Sequence, residues 1–235
     1  MLQLAKRIEA AWRRHGPVRF VRFAAYNIWY QLRLLRQCVP RPNDEDAFDE
    51  ELGTDTAQIR EIGSLDIDAL SARHAVRYQA SPAALVRTAI SSLDADLSDM
   101  VFVDFGSGKG RVVMIAASFP FKAVIGVELS SELHQIAMEN VRRAAPRLSN
   151  IQRISLRCSN AQDFELPPSN LVCYFYNPFG PAVLSPLVER LWSHGSQQGY
   201  RTFIIYVDPR HRTIFDNVGG FRPIIDDPQL LVLGT

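Results

Sequence analysis

Between Val101 and Ala117 the chain reads VFVDFGSGKGRVVMIAA. A strand-like apolar run ends in an acid, passes three glycines at alternate positions, and opens into a helix without a spacer. Downstream, VIGVELS repeats the first half of this layout, an apolar run ending in Glu128. Strand, glycine turn, helix and second strand form a βα unit, which favours a parallel sheet and places ligands beyond the carboxyl ends of the strands. The layout can bind a nucleoside whose ribose hydroxyls meet Glu128 and whose polar tail lies over a bare glycine backbone.

Two familiar ligands fail on spacing. The dinucleotide fingerprint needs glycine three residues after Gly108, and that position is Arg111. A P-loop needs glycine five residues before the Gly108-Lys109 pair and a hydroxyl residue after it. Those positions hold Val103 and Gly110. What fits is acid-x-G-x-G-x-G, formed by Asp104, Gly106, Gly108 and Gly110. This resembles the first motif of class I S-adenosylmethionine-dependent methyltransferases, and Glu128 matches their ribose-binding acid at the end of the second strand. DFGSGKGR together with YNPF is similar to a bacterial subgroup of that family. The alternative is a tight strand-to-helix turn in another α/β protein.

The resemblance implies further site residues. After the third strand, family members carry an acid and a small residue that meet the adenine amino group. The matching pair here is Asn160-Ala161, whose amide oxygen can accept from that amine. Asp163 is the alternative partner, and a loop asparagine bonding its own backbone is the plain reading. The fourth strand ends in YFYNPFG, similar to the N-P-P-aromatic motif of methyltransferases that modify amino or amide nitrogens. The likeness makes Asn177, Pro178 and Phe179 the catalytic residues, with Asn177 orienting the acceptor and Phe179 or Tyr176 walling the site. In the competing reading, Pro178 fixes a strand-ending turn and Asn177 caps the next helix. Asp208 and His211 follow the fifth strand, where His211 can serve as a base or simply begin a helix. Lys109 is read as solvated or as reaching the cofactor carboxylate, Arg111 as solvated, and His134 as structural.

Periodicity fills in the rest. Strands are expected at Val101–Phe105, Ala123–Glu128, Ser155–Cys158, Leu171–Tyr176, Thr202–Val207, Phe221–Ile225 and Leu230–Leu233. Helices are expected around Arg111–Ser118, Ser131–Ala144, Ala182–His194 and His211–Asp216, with a stripe of Leu184, Leu187, Val188 and Leu191. A further helix opens at Ser81-Pro82, a capping hydroxyl followed by proline, and packs through Ala84, Leu85, Thr88 and Ala89. Tyr78 just before it can lie over the cofactor as a lid, or pin the entry loop. The fold class is α/β, a Rossmann-like, doubly wound, mostly parallel seven-stranded sheet with an N-terminal helical appendage. The resemblance implies strand order 3-2-1-4-5-7-6 and covers residues 77–235.

The first 76 residues are polarised. From Met1 to Pro42 nine basic residues face the single acid Glu9, whereas from Asn43 to Asp68 ten acids face Arg60 alone. Residues 1–42 are expected as a basic helical extension. Its second helix, Val18 to about Gln37, sets Arg19, Arg22, Tyr26, Arg33 and Arg36 on one face. Such a helix can dock on the catalytic domain, or meet an anionic membrane surface or a partner. Residues 43–76 are expected as an acidic linker or loop. Nucleic acid is disfavoured as a partner because the rest of the chain shows no sustained basic stripe.

At 235 residues with 47% hydrophobic content the chain can bury a full core. Cys38, Cys158 and Cys173 share no metal-ligand spacing with the histidines, so no metal is expected. Cys158 and Cys173 read as buried small hydrophobes. Reduced thiols and the lack of a signal-like or spanning segment suit a cytoplasmic protein. The expected activity is transfer of methyl from S-adenosylmethionine to nitrogen, or else oxygen, on a protein or small molecule. The alternative is a nucleoside-binding scaffold without catalysis.

Overall fold

In a computed structural model, which describes residues 44–58 and 78–235, seven strands form one sheet in the order β3-β2-β1-β4-β5-β7-β6. The strands are β1 (Met100–Phe105), β2 (Ala123–Glu128), β3 (Ile154–Cys158), β4 (Asn170–Tyr176), β5 (Thr202–Val207), β6 (Arg222–Asp226) and β7 (Leu230–Gly234). β1 to β5 are parallel, and β7 inserts antiparallel between β5 and β6. Every residue of β1, β5 and β7 is buried, so their continuous apolar runs reflect a sheet covered on both faces. β3 and β6 form the edges and carry exposed residues. Pro223 sits in edge strand β6 beside a bulge, where a missing N–H is tolerated.

Among the described residues six α-helices accompany the sheet: α1 (Asp44–Leu52), α2 (Ala83–Ser91), α3 (Arg111–Ala117), α4 (Ser131–Ala144), α5 (Pro181–Gln198) and α6 (Thr213–Val218). On one face Leu184, Leu187, Val188 and Leu191 of α5 meet Val103, Phe105, Cys173, Phe175, Ile204 and Tyr206. All four α5 residues are fully buried, each worth about 1.5–3 kcal/mol of transfer free energy. α5 runs through Pro186, which cannot donate to the Ala182 carbonyl. That oxygen instead accepts from Gln162 Nε2 at 3.4 Å. On the opposite face Phe102 contacts Phe121 and Tyr174, and α2 packs on α3.

The structure corrects several expectations. α2 begins at Ala83 without a side-chain cap; Ser81 Oγ accepts from the buried Tyr174 hydroxyl at 2.9 Å. Its packing face is Val86, Ala89 and Ile90, while Ala84 is exposed. The helix is apolar nearly all round, so periodicity alone does not select the buried side. Cys173 is buried as expected, but Cys158 is exposed because β3 is an edge strand. The acidic stretch expected as linker instead forms α1 and a strap to Ala57, with Phe48 and Leu52 buried at i, i+4 spacing. The basic helical extension expected over residues 1–42, and residues 43 and 59–76 of the expected linker, lie outside the described residues. Among the described residues no helix is long and apolar enough to cross a membrane.

Candidate functional site

The carboxyl ends of β1, β2, β4 and β5 share one edge of the sheet, and the order reverses between β1 and β4, the position where such folds bind ligands. Leaving β1, the amides of Gly106 and Ser107 both donate to the Val127 carbonyl, at 2.8 and 3.0 Å, drawing the loop across the end of β2. The chain then passes through left-handed conformations at Gly106 (φ 81°), Gly108 (φ 52°) and Gly110 (φ 86°). These backbone positions are strained for any residue with a Cβ. Space forbids a Cβ as well: at Gly106 it would lie 2.8 Å from Pro178 Cβ, and at Gly108 2.2 Å from Tyr78 Cε2. The first contact joins the glycine loop to the NPF turn. The second shows that a tyrosine ring covers the backbone expected to lie bare.

Glu128 closes the loop from the other side. Its Oε2 accepts from the Gly108 amide at 2.8 Å and its Oε1 from the Ser130 amide at 2.9 Å. Ser130 in turn caps α4 by accepting from the Leu133 amide. The two sequence motifs are thus one hydrogen-bonded unit.

Asp104 lies buried beneath this unit. Burial, then the nearby charge of Glu128, holds its carboxyl well above the usual carboxylate range. An acid with a raised folded pKa binds more protons folded than unfolded. Its effect on stability therefore becomes less favourable as pH rises from about 4, the unfolded value, through the folded pKa. Asp104→Asn, which keeps the shape without the charge, should gain in stability over wild type between about pH 5 and about pH 8. Urea unfolding at both values checks this; a difference that does not grow with pH refutes it.

Lys109 and Arg111 are not solvated. Lys109 is 0% exposed and its Nζ lies 2.9 Å from Asp55 Oδ1. Arg111 is 2% exposed; its Nε donates to Thr56 Oγ1 at 2.7 Å, its guanidinium stacks 4.9 Å over Phe48, and Nη2 stands 3.7 Å from Asp49. Sequence reasoning missed these partners, although the acidic block carried the complementary charge. Tyr78 donates to the Thr56 carbonyl at 2.6 Å, and burial, its largest cause, holds the hydroxyl well above an ordinary phenol, so it remains a donor.

At the third strand the plain reading of Asn160 fits the contacts found. Its Oδ1 accepts from the Gln162 amide at 3.0 Å, an Asx-type turn, while Ala161 joins the core. The fourth and fifth strands end in the two non-glycine residues of positive φ among those described, Asn177 (φ 40°) and Asp208 (φ 47°). Asn177 does not cap α5, whose N-cap is Gly180. Its Nδ2 donates to Asp208 Oδ2 and its Oδ1 accepts from the Tyr206 hydroxyl, both long at 3.4 Å. Burial raises the Tyr206 phenol to about 12, keeping it protonated near neutrality. Asp208 also takes Arg210 Nε at 2.9 Å, and His211 supplies its backbone amide to Tyr206. Phe179 packs against the core beside this turn. Two strained positions on adjacent strand ends mark a place the surrounding structure over-determines.

No family pattern and no curated protein matches the chain. Solved structures do. The ribosomal protein L11 methylase of Lactobacillus delbrueckii subsp. bulgaricus is 16% identical, with TM-score 0.47 over 64% of this chain and 75% of that one. An RNA methyltransferase from Salinibacter ruber, in complex with S-adenosyl-L-homocysteine, is 18% identical, with TM-score 0.44 over 66% and 91%. The magnesium protoporphyrin IX methyltransferase of Synechocystis, with bound SAM, is 12% identical, with TM-score 0.41 over 64% and 74%. The acceptors named for these three proteins differ from one another and belong to those proteins.

Proposed function

We infer that this chain is a class I S-adenosylmethionine-dependent methyltransferase acting on a nitrogen of a protein or small molecule. One observation carries the reading: the Glu128 carboxylate is tied to Gly108 at the switch point of the sheet, with Pro178 of the NPF turn packed on Gly106. An acid at the end of the second strand, fixed in place by the loop it faces, suits ribose hydroxyls. The left-handed glycines let Pro178 and the Tyr78 ring pack directly on the loop, which shapes a place for the ligand tail beside them. Asp104, Gly106, Gly108, Gly110 and Glu128 would hold the cofactor, with Asn160 and Ala161 at the adenine end.

The bound cofactor supplies an activated methyl group on a sulfonium, so transfer breaks an S–C bond, forms an N–C bond and releases one proton from the nitrogen. The protein's part is orientation and exclusion of water. Asn177 takes an acceptor N–H, with its amide held between Asp208 and Tyr206 so that the oxygen does not rotate away. Asp208, whose side chain is 43% exposed, offers a carboxylate for the departing proton. Pro178 sets the turn and Phe179 walls it.

Calorimetry separates the donors: S-adenosylmethionine or S-adenosylhomocysteine should bind more tightly than NAD or ATP, and the reverse order sinks the reading. Labelled methyl transfer into fractionated extract then identifies the acceptor, with label expected in protein or metabolite. Label in RNA or DNA would replace the acceptor class, and tight binding without transfer into any fraction would identify a scaffold. Asn177→Ala should keep cofactor affinity and lose about 100-fold or more in transfer rate, as expected for a misplaced acceptor. Full retained activity removes Asn177 from the mechanism.

A further inference from the structure

Lys109 and Arg111 stand at the start of α3, the end of a helix where the backbone dipole disfavours cations. They are also fully or almost fully buried, which is costly for charge unless it is paired and hydrogen-bonded. Neither position favours a cation by itself, so the reason for them lies in what they hold. Both hold the same strap.

The strap, together with the end of α1 that precedes it (residues 48–57), is tied at several points. Asp55 receives Lys109 Nζ, and its backbone amide donates to Asn140 Oδ1 at 2.9 Å. Asn140 Nδ2 returns bonds to the carbonyls of Asp55 and Lys109, both at 3.0 Å. Thr56 Oγ1 accepts from Arg111 and donates to Asp49 Oδ1, each at 2.7 Å, and the residue is fully buried. Asp49 Oδ2 gathers the amides of Thr56 and Ala57 at 2.7 and 2.8 Å, which curls the chain around it. One backbone carbonyl of this assembly, that of Thr56, accepts from the Tyr78 hydroxyl. The Tyr78 ring lies against Gly108, with Lys109 Nζ 5.7 Å from its centroid. A side chain with two rotatable bonds is thereby fixed at both ends, ring on the glycine loop and hydroxyl on the strap.

We propose that the acidic strap is a wall of the donor site, clamped by Lys109 and Arg111, and that it works by holding Tyr78 over Gly108. Donor affinity then depends on positioning residues about fifty places upstream of the glycine loop, on a stretch outside the motif-bearing region. The inference rests on the S-adenosylmethionine reading of that loop. Arg111 and Lys109 touch the strap, and Asp55 and Thr56 act through Tyr78. A ring pre-set by the strap lowers the ordering cost of binding, whereas a ring free to swing must be ordered by the ligand.

The test is calorimetry of the full-length chain with S-adenosylhomocysteine as probe. Tyr78→Phe removes only the hydroxyl that reaches Thr56, and Asp55→Asn removes the charge that meets Lys109 while keeping the shape. Each should weaken S-adenosylhomocysteine binding about 3–10-fold, the value of one hydrogen bond, with the ligand-free protein still folding cooperatively. Because both act through one ring, the double variant should lose less than the product of the two. Equal affinity in all four proteins overturns the proposal and leaves the donor reading standing. Tighter binding by Tyr78→Phe overturns it too, since the ring would then be an obstruction. A fully multiplicative double variant shows that strap and ring act separately and overturns the coupling. Failure of the wild type to bind S-adenosylhomocysteine overturns the donor reading, and this inference with it.

Discussion

Glutamine in place of Glu128 should lower affinity for S-adenosylhomocysteine by about 10–150-fold, the range for losing a hydrogen bond to a charged group. The substitution preserves size and removes one acceptor oxygen. In the native protein both oxygens accept backbone N–H groups, from Gly108 and from Ser130. A glutamine amide has one acceptor end, so its NH2 must face one of these donors whichever way it turns. If it faces Gly108, the glycine loop loses its anchor to β2; if it faces Ser130, the entry to α4 does. Stability should fall by about 1–3 kcal/mol, because a buried N–H is left facing another donor. Glu128→Ala is the second arm, removing the carboxylate proposed to meet the ribose without introducing that repulsion. Calorimetry and chemical denaturation on the same samples separate the effects. A folded variant of either kind that binds like wild type refutes the ribose role of Glu128.

The sheet was the most legible part of the chain, for reasons visible in particular residues. β2 and β5 begin and end as periodicity and their flanking residues indicate, and the Leu184, Leu187, Val188, Leu191 stripe is fully buried. Parallel strands between helices are apolar runs bounded by turn residues, a signal local in sequence. That the glycine loop and Glu128 lie at the ends of consecutive strands was legible too, but the bond from the Gly108 amide to the Glu128 carboxylate was not. What local pattern does not carry is which strand becomes an edge, hence Cys158, and where a distant segment docks. Lys109 and Arg111 look like surface cations on a helix start until Asp55 and Thr56 arrive from more than fifty residues upstream. Phe48 and Leu52 were the available signal: an amphipathic pair inside an acidic run marks a helix with something to bury. Sheet order alone sets Asp208 beside the NPFG turn, but the positive φ at Asn177 and Asp208 was out of reach, since it shows only in the backbone.

Alanine at Gly108 should be the most damaging small substitution in the glycine loop, and a comparison within this chain can apportion the damage. Two effects act at once. The backbone, at φ 52°, costs about 1–3 kcal/mol for a residue with a Cβ. The new methyl group would also sit 2.2 Å from Tyr78 Cε2, overlap that typically costs a further 1–3 kcal/mol, roughly, when neighbours are forced to move. Gly199 supplies the control for the first effect: it ends α5 at φ 74°, and a methyl group added there would meet nothing within 4 Å. Gly199→Ala should therefore show the backbone cost alone, and the excess at Gly108→Ala measures the tyrosine contact. Adding Tyr78→Ala to Gly108→Ala should recover part of that excess in denaturation midpoint. It should not recover S-adenosylhomocysteine binding, because the ring proposed to wall the donor site is then gone. Equal losses at Gly108 and Gly199 would mean that Tyr78 does not rest on the loop, and would remove the ring from the donor site.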